Sequence, residues 1–91
     1  MDRIHRRIFS LNDRIEAIDA EARQVTAELD YHRAINDDAQ RDAAVGNYLD
    51  REEAGLTAGD VRRFEQTLAR LTEKRFRLAA KRARLLTRLP D

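Results

Sequence analysis

Residues 4–29 read IHRRIFSLNDRIEAIDAEARQVTAEL, and the spacing inside this stretch decides the fold. Ile4, Ile8, Leu11, Ile15, Ile18, Ala22, Val25 and Leu29 fall alternately four and three residues apart. A strand would need apolar residues at every second position, and that period is missing. A 3.5-residue repeat held over more than three heptads is the mark of a coiled-coil seam. Beyond Leu29 the register passes through His32, Asn36, Ala39 and Ala43, which are small or polar. The seam weakens there, yet nothing in 31–44 breaks a helix. The sequence therefore predicts a first helix over about 3–44. Asp19–Arg23 and Asp37–Arg41 give it acid-before-base pairs at i, i+4. Ser10-Leu11-Asn12-Asp13 has the form of a capping sequence, which would make 1–9 a separate arm. The unbroken apolar spacing favours one helix.

A second periodic stretch lies near the C-terminus. Phe64, Leu71, Leu78 and Leu85 recur every seven residues, beside Val61, Leu68, Arg75, Arg82 and Leu89. Phe76, Ala79, Ala83 and Leu86 widen this apolar face, which predicts a second helix over about 58–89 with Pro90 ending it. All three glycines, Gly46, Gly55 and Gly59, fall between the two stretches. Gly46-Asn47 is a turn dipeptide, Gly55 suits a helix C-terminus, and Thr57 followed by Asp60 suits an N-cap. The connection is placed at about 45–57, with a short helical turn at 50–54. Tyr48 and Leu49 would form an apolar plug at the end of the bundle.

Charge divides the chain as the helices do. Residues 62–88 hold ten basic and two acidic side chains, whereas 11–60 hold thirteen acidic and five basic, within a formal net charge of +1. Matched apolar seams with opposite flanks specify an antiparallel pair. The predicted fold is an all-α antiparallel two-helix coiled-coil hairpin over residues 1–91, a single domain. With a reversal near residue 50, Leu11 would lie opposite Leu89 and Leu29 opposite Leu71. Arg75 and Arg82 would then reach carboxylates at Asp19, Glu21 and Glu28. A reversal nearer Gly55 would leave Ile4 to Ile18 without an intramolecular partner and would demand a second chain. A lone hairpin buries little surface for its length, so the expected assembly is a homodimer forming a four-helix bundle.

The expected function follows from that architecture: a non-catalytic scaffold or adaptor acting by self-association and binding of an unidentified protein partner's helix. The assembly seam comprises Ile4, Ile8, Leu11, Ile15, Ile18, Val25, Leu29, Phe64, Leu68, Leu71, Leu78 and Leu85. The alternative is a nucleic-acid-associated protein using the basic column Arg63, Arg70, Arg77 and Arg84. That alternative is not favoured, because an acidic first helix would cancel much of the field and no aromatic is interleaved for stacking.

No catalytic, metal or cofactor site is expected. The chain has no cysteine, two histidines and no apolar run of the roughly 20 residues that cross a bilayer. With no membrane partner and no signal-peptide pattern, the cytoplasm is the expected location. Glu28–His32 at i, i+4 is one pair and far from a metal site. His32 and Asn36 read better as polar residues that fix register. Asp37, Asp38 and Asp42 lack the glycine and spacing of a calcium loop.

Leu11-Asn12-Asp13-Arg14-Ile15-Glu16-Ala17-Ile18-Asp19 is similar to the start of helical chorismate mutases. Cationic positions of that family fall on Asn12, Leu29 and Gln40, which cannot bind a dicarboxylate, so the similarity implies no activity. The size also resembles that of small secreted helical hairpins with a Trp-x-Gly turn, but the chain has no tryptophan.

Overall fold

The computed structural model describes residues 2–89. It contains two helices, α1 (Arg3–Val45) and α2 (Tyr48–Leu86), and no strand among the described residues. The fold is an all-α antiparallel hairpin. Asp2 caps α1: its carboxylate accepts the His5 backbone N–H at 2.9 Å, satisfying one of the first-turn donors that have no partner within the helix. That backbone hydrogen bond is the main reason the Asp2 carboxyl titrates below its usual range. Helix α1 then runs through Ser10 without interruption, so residues 3–9 are no separate arm.

The connection is much shorter than the expected 45–57. Only Gly46 and Asn47 separate the helices. Asn47 Oδ1 accepts the Asp50 N–H at 3.2 Å, and the Asp50 carboxylate accepts the Asn47 N–H at 3.3 Å. This reciprocal pair is a capping box with Asp in place of Glu or Gln. It starts α2 about ten residues before the expected residue 58, so Gly55 ends no helix and Thr57 caps none. Gly55 and Gly59 are helix-interior residues, and no glycine has a positive φ. At its other end α2 stops at Leu86 rather than Leu89. Arg88 and Leu89 donate to the carbonyls of Leu85 and Leu86, three residues back, which tightens and closes the last turn. The expected role of Pro90 lies outside the described residues.

The tight turn resets the pairing. Asn12 meets Arg82, Asp19 meets Arg75, Asn36 meets Thr57 and Gln40 meets Ala54, which centres the reversal on Gly46-Asn47 rather than residue 50 or Gly55. The register expected from residue 50, with Leu11 opposite Leu89, is therefore displaced. Ile8, Leu11, Ile15 and Ile18 are buried and Ile4 is half-buried, so the isoleucine stripe has its partner within the chain.

The chain forms two compact units. One comprises Met1–Arg23 with Arg70–Asp91, the other Gln24–Ala69. In the first, Ile8, Leu11, Ile15 and Ile18 bury with Leu71, Leu78 and Leu85. In the second, Val25, Leu29 and Ala39 bury with Ala54, Thr57 and Val61, while Phe64 and Leu68 are half-buried.

Candidate functional site

With the seam positions written a and d, α1 carries a at Ile8, Ile15, Ala22, Leu29, Asn36 and Ala43. Helix α2 carries a at Ala54, Val61, Leu68, Arg75, Arg82 and Leu89. In an antiparallel pair the e positions of both helices border one side of the seam and the g positions the other.

The e side is closed by polar clasps. In the first unit Arg75 Nε donates to Asp19 Oδ1 at 2.6 Å, and Arg82 Nη1 donates to Asn12 Oδ1 at 2.8 Å. Both arginines stand at a positions, where the long stem covers the seam while the guanidinium reaches out. The Arg75 hydrogen bond holds the Asp19 carboxyl below the usual aspartate range, and Asp19 raises the Arg75 guanidinium in return. A depressed carboxyl stabilises the fold above its ordinary pKa, and the contribution is lost as pH falls through the lowered value. Arg75 thus reaches Asp19 as the sequence predicts, whereas Arg82 meets the Asn12 amide instead of a carboxylate.

In the second unit Gln40 Nε2 donates to Asn36 Oδ1 at 3.0 Å and to the Ala54 carbonyl at 2.9 Å. The buried Thr57 hydroxyl donates to the same Asn36 oxygen at 2.9 Å. This network joins Asn36 and Gln40 of α1 to Ala54 and Thr57 of α2. Two of its hydrogen bonds, Thr57 to Asn36 and Gln40 to the Ala54 carbonyl, cross between the helices and are made in this alignment, which fits the register role read for Asn36. His32 stacks on Phe64 with ring centroids 4.7 Å apart and meets Tyr31 edge-on. Among the described residues no group of three or more His, Asp or Glu side chains is placed to hold a metal ion.

The g side is open and grooved. In the first unit one groove is lined by Arg7, Ser10, Leu11, Arg14 and Lys81, and a second by Arg14, Ala17, Ile18, Glu21, Lys74 and Leu78. In the second unit a groove is lined by Ile35, Asp38, Ala39, Asp42, Asp50 and Glu53. Like charges therefore face one another across the seam: Arg14 and Lys81 in one unit, Asp42 and Glu53 in the other. No ion pair engages Arg7, Arg14, Lys74, Lys81, Asp42 or Glu53 among the described residues. The first unit holds thirteen basic and seven acidic side chains, and the second ten acidic and five basic. Their net charges are +6 and −5.

This outcome changes the meaning of the charge pattern. Arg75–Asp19 and Arg33–Glu65 are ion pairs between the helices. The remaining pairs lie within one helix, including Arg41–Asp38 where Asp37 was the expected partner. The column Arg63, Arg70, Arg77 and Arg84 is exposed at c positions. Within it Arg63 is paired with Asp60, and Arg77 Nη2 donates to Glu73 at 2.5 Å. Lys74 and Lys81 follow from the register after Val61, whereas the place of Glu53 depends on the register of α2 before Val61, which the sequence analysis assigned to the connection. The alternating spacing Ala54, Thr57, Val61, Phe64 was the signal.

Large apolar side chains also remain outside the seam. Phe9, Tyr31, Val45, Tyr48, Leu49, Leu56, Phe76 and Leu86 are each at least half exposed. Tyr48 and Leu49 thus plug nothing within the chain, and Phe76 and Leu86 do not widen the buried face. No family model, curated protein or solved structure matches the chain.

Proposed function

We propose that the chain is a non-catalytic helical interaction module that self-associates, with a homodimer paired into a four-helix bundle as its working form. The observation that carries this reading is the exposed apolar surface. Val45 is 91% exposed and Leu49 and Leu56 about two-thirds exposed, on a hairpin whose buried face is only the a/d stripe. Scattered exposed apolar residues are ordinary, but Leu49 and Leu56 share a column on α2 and invite a covering helix. A two-helix hairpin has little core of its own, which adds a reason to associate. The seam residues Ile4 to Ile18 serve the hairpin itself, and the association surface lies outside them. Sedimentation equilibrium over micromolar concentrations tests the reading: a dimer is expected, and a monomer throughout would overturn it.

A second reading, binding of nucleic acid, draws support from the +6 charge of the first unit and its cation-lined groove. The −5 charge of the other unit opposes it. Titration with mixed duplex DNA and RNA at two salt concentrations separates the two. Salt-sensitive binding supports the second reading, whereas no binding at low salt removes it.

A further inference from the structure

The g flanks pose a physical problem that the hairpin does not solve. In coiled coils the residues beside the seam choose the partner helix, and opposite charges across the seam favour the pair. Here the choice made within the chain is reversed. Arg14 and Lys81 border one groove, and Asp42 and Glu53 border another. Like charges brought together on neighbouring helices destabilise a pair rather than select it. The groove lined by Arg14, Glu21 and Lys74 brings opposite charges together, and no ion pair joins them among the described residues.

The pattern becomes complementary when a second copy is considered. The basic groove carries three cations and no carboxylate, and the acidic groove four carboxylates and no cation. Net charges of +6 and −5 nearly cancel, so a polyanion attracted to one unit would be repelled by the other, whereas a second copy satisfies both. The acidic face also carries Tyr31, Leu49 and Leu56 at c positions, beside the half-buried Ile35 at g. The basic face presents the long exposed stem of Arg84 at a c position, which can cover apolar surface while its guanidinium group reaches carboxylates.

We propose that the g flanks are the self-association surface, with the basic unit of each copy docked on the acidic unit of the other about a two-fold axis. Such an interface is self-complementary, since each patch meets its opposite on the partner copy. The proposal rests on the self-association reading above and specifies its geometry. Its first consequence is salt dependence. Raising salt from about 0.1 M to about 1 M shortens the screening length from about 10 Å to about 3 Å, and the dimer dissociation constant is expected to rise roughly tenfold or more.

A charge exchange tests the geometry. The double variant Arg14→Glu/Lys81→Glu reverses the two cations that face one another across the basic groove, and Asp42→Lys/Glu53→Lys reverses the two carboxylates that face one another across the acidic groove. All four substitutions lie outside the a/d seam, and circular dichroism at matched concentration checks that helicity is kept. Each variant alone is expected to sediment as a monomer where the natural chain is dimeric, while an equimolar mixture restores a dimer containing one of each. The geometry is overturned if either variant alone dimerises as tightly as the natural chain, or if the mixture does not associate. A natural chain that dimerises with affinity indifferent to salt and to both variants overturns this geometry and leaves self-association standing. A natural chain that stays monomeric, with or without capture of duplex DNA through Arg14 and Lys81, overturns both.

Discussion

A methyl group added at Gly46 would lie 2.5 Å from the Asp42 carbonyl oxygen and would also run into the Asp50 carboxylate. The Asp50 side chain can rotate, at the expense of the capping box, but the Asp42 carbonyl is backbone at the end of α1. The constraint is close approach rather than backbone angle, because the φ of Gly46 is not positive. Gly46→Ala should therefore destabilise the hairpin by about 1–3 kcal/mol, the usual range for forced overpacking. Urea unfolding followed by circular dichroism reads this as a lower midpoint at unchanged slope. An unchanged midpoint would mean that the turn opens at no expense, and that the two-residue connection is not what sets the register.

Helix α2 makes the opposite case for its two other glycines. A Cβ at Gly55 would meet nothing within 4 Å, and one at Gly59 would reach only the arginine side chains at 62 and 63, at 3.7 Å or more. Both sit inside the helix, where glycine costs about 0.8–1.0 kcal/mol relative to alanine. Gly55→Ala and Gly59→Ala should each stabilise the chain by about that amount, nearly additively, with unfolding midpoints as the measure. Loss of stability in either would mean that the helix is broken at that glycine. The sequence reading located α1 well because large aliphatic residues mark every seam position from Ile8 to Ile18. It missed the start of α2 because Ala54 and Thr57 fill seam positions without advertising them, while two glycines nearby imitate a break. The Asn36–Thr57 clasp was half legible: Asn36 stood out as a polar seam residue, but its partner depends on a register that only the true turn supplies. The basic flank at Lys74 and Lys81 was legible from the heptads after Val61, while the acidic flank at Glu53 depends on the register that only the true turn supplies.

At the scale of the whole molecule, the two units are built from unequal seams. The first buries Ile8, Leu11, Ile15 and Ile18 with Leu71, Leu78 and Leu85; the second relies on Ala39, Ala54 and Thr57 over much of its length, with His32 and Asn36 half-buried. Fully burying a leucine or isoleucine side chain is worth about 1.5–3 kcal/mol, and alanine and threonine contribute far less apolar area. The polar clasp around Asn36 fixes alignment, but each hydrogen bond adds only about 0.5–1.5 kcal/mol net. Opening should therefore be cheapest around 36–43 and 50–57, and most costly around 11–18 and 78–85. Native-state amide exchange reports this directly, because protection follows the free energy of local opening. The backbone amides of Ile15 and Leu78 should exchange many times more slowly than those of Ala39 and Thr57. If the two groups exchange at the same rate, the hairpin opens only as one cooperative body, and the aliphatic seam stabilises residues well beyond its own unit. The docking proposed above adds a second term: a partner copy covering the acidic flank would slow exchange most where the isolated seam is weakest. Protection at Ala39 and Thr57 should then rise with protein concentration, while that at Ile15, already deep in its own seam, changes less.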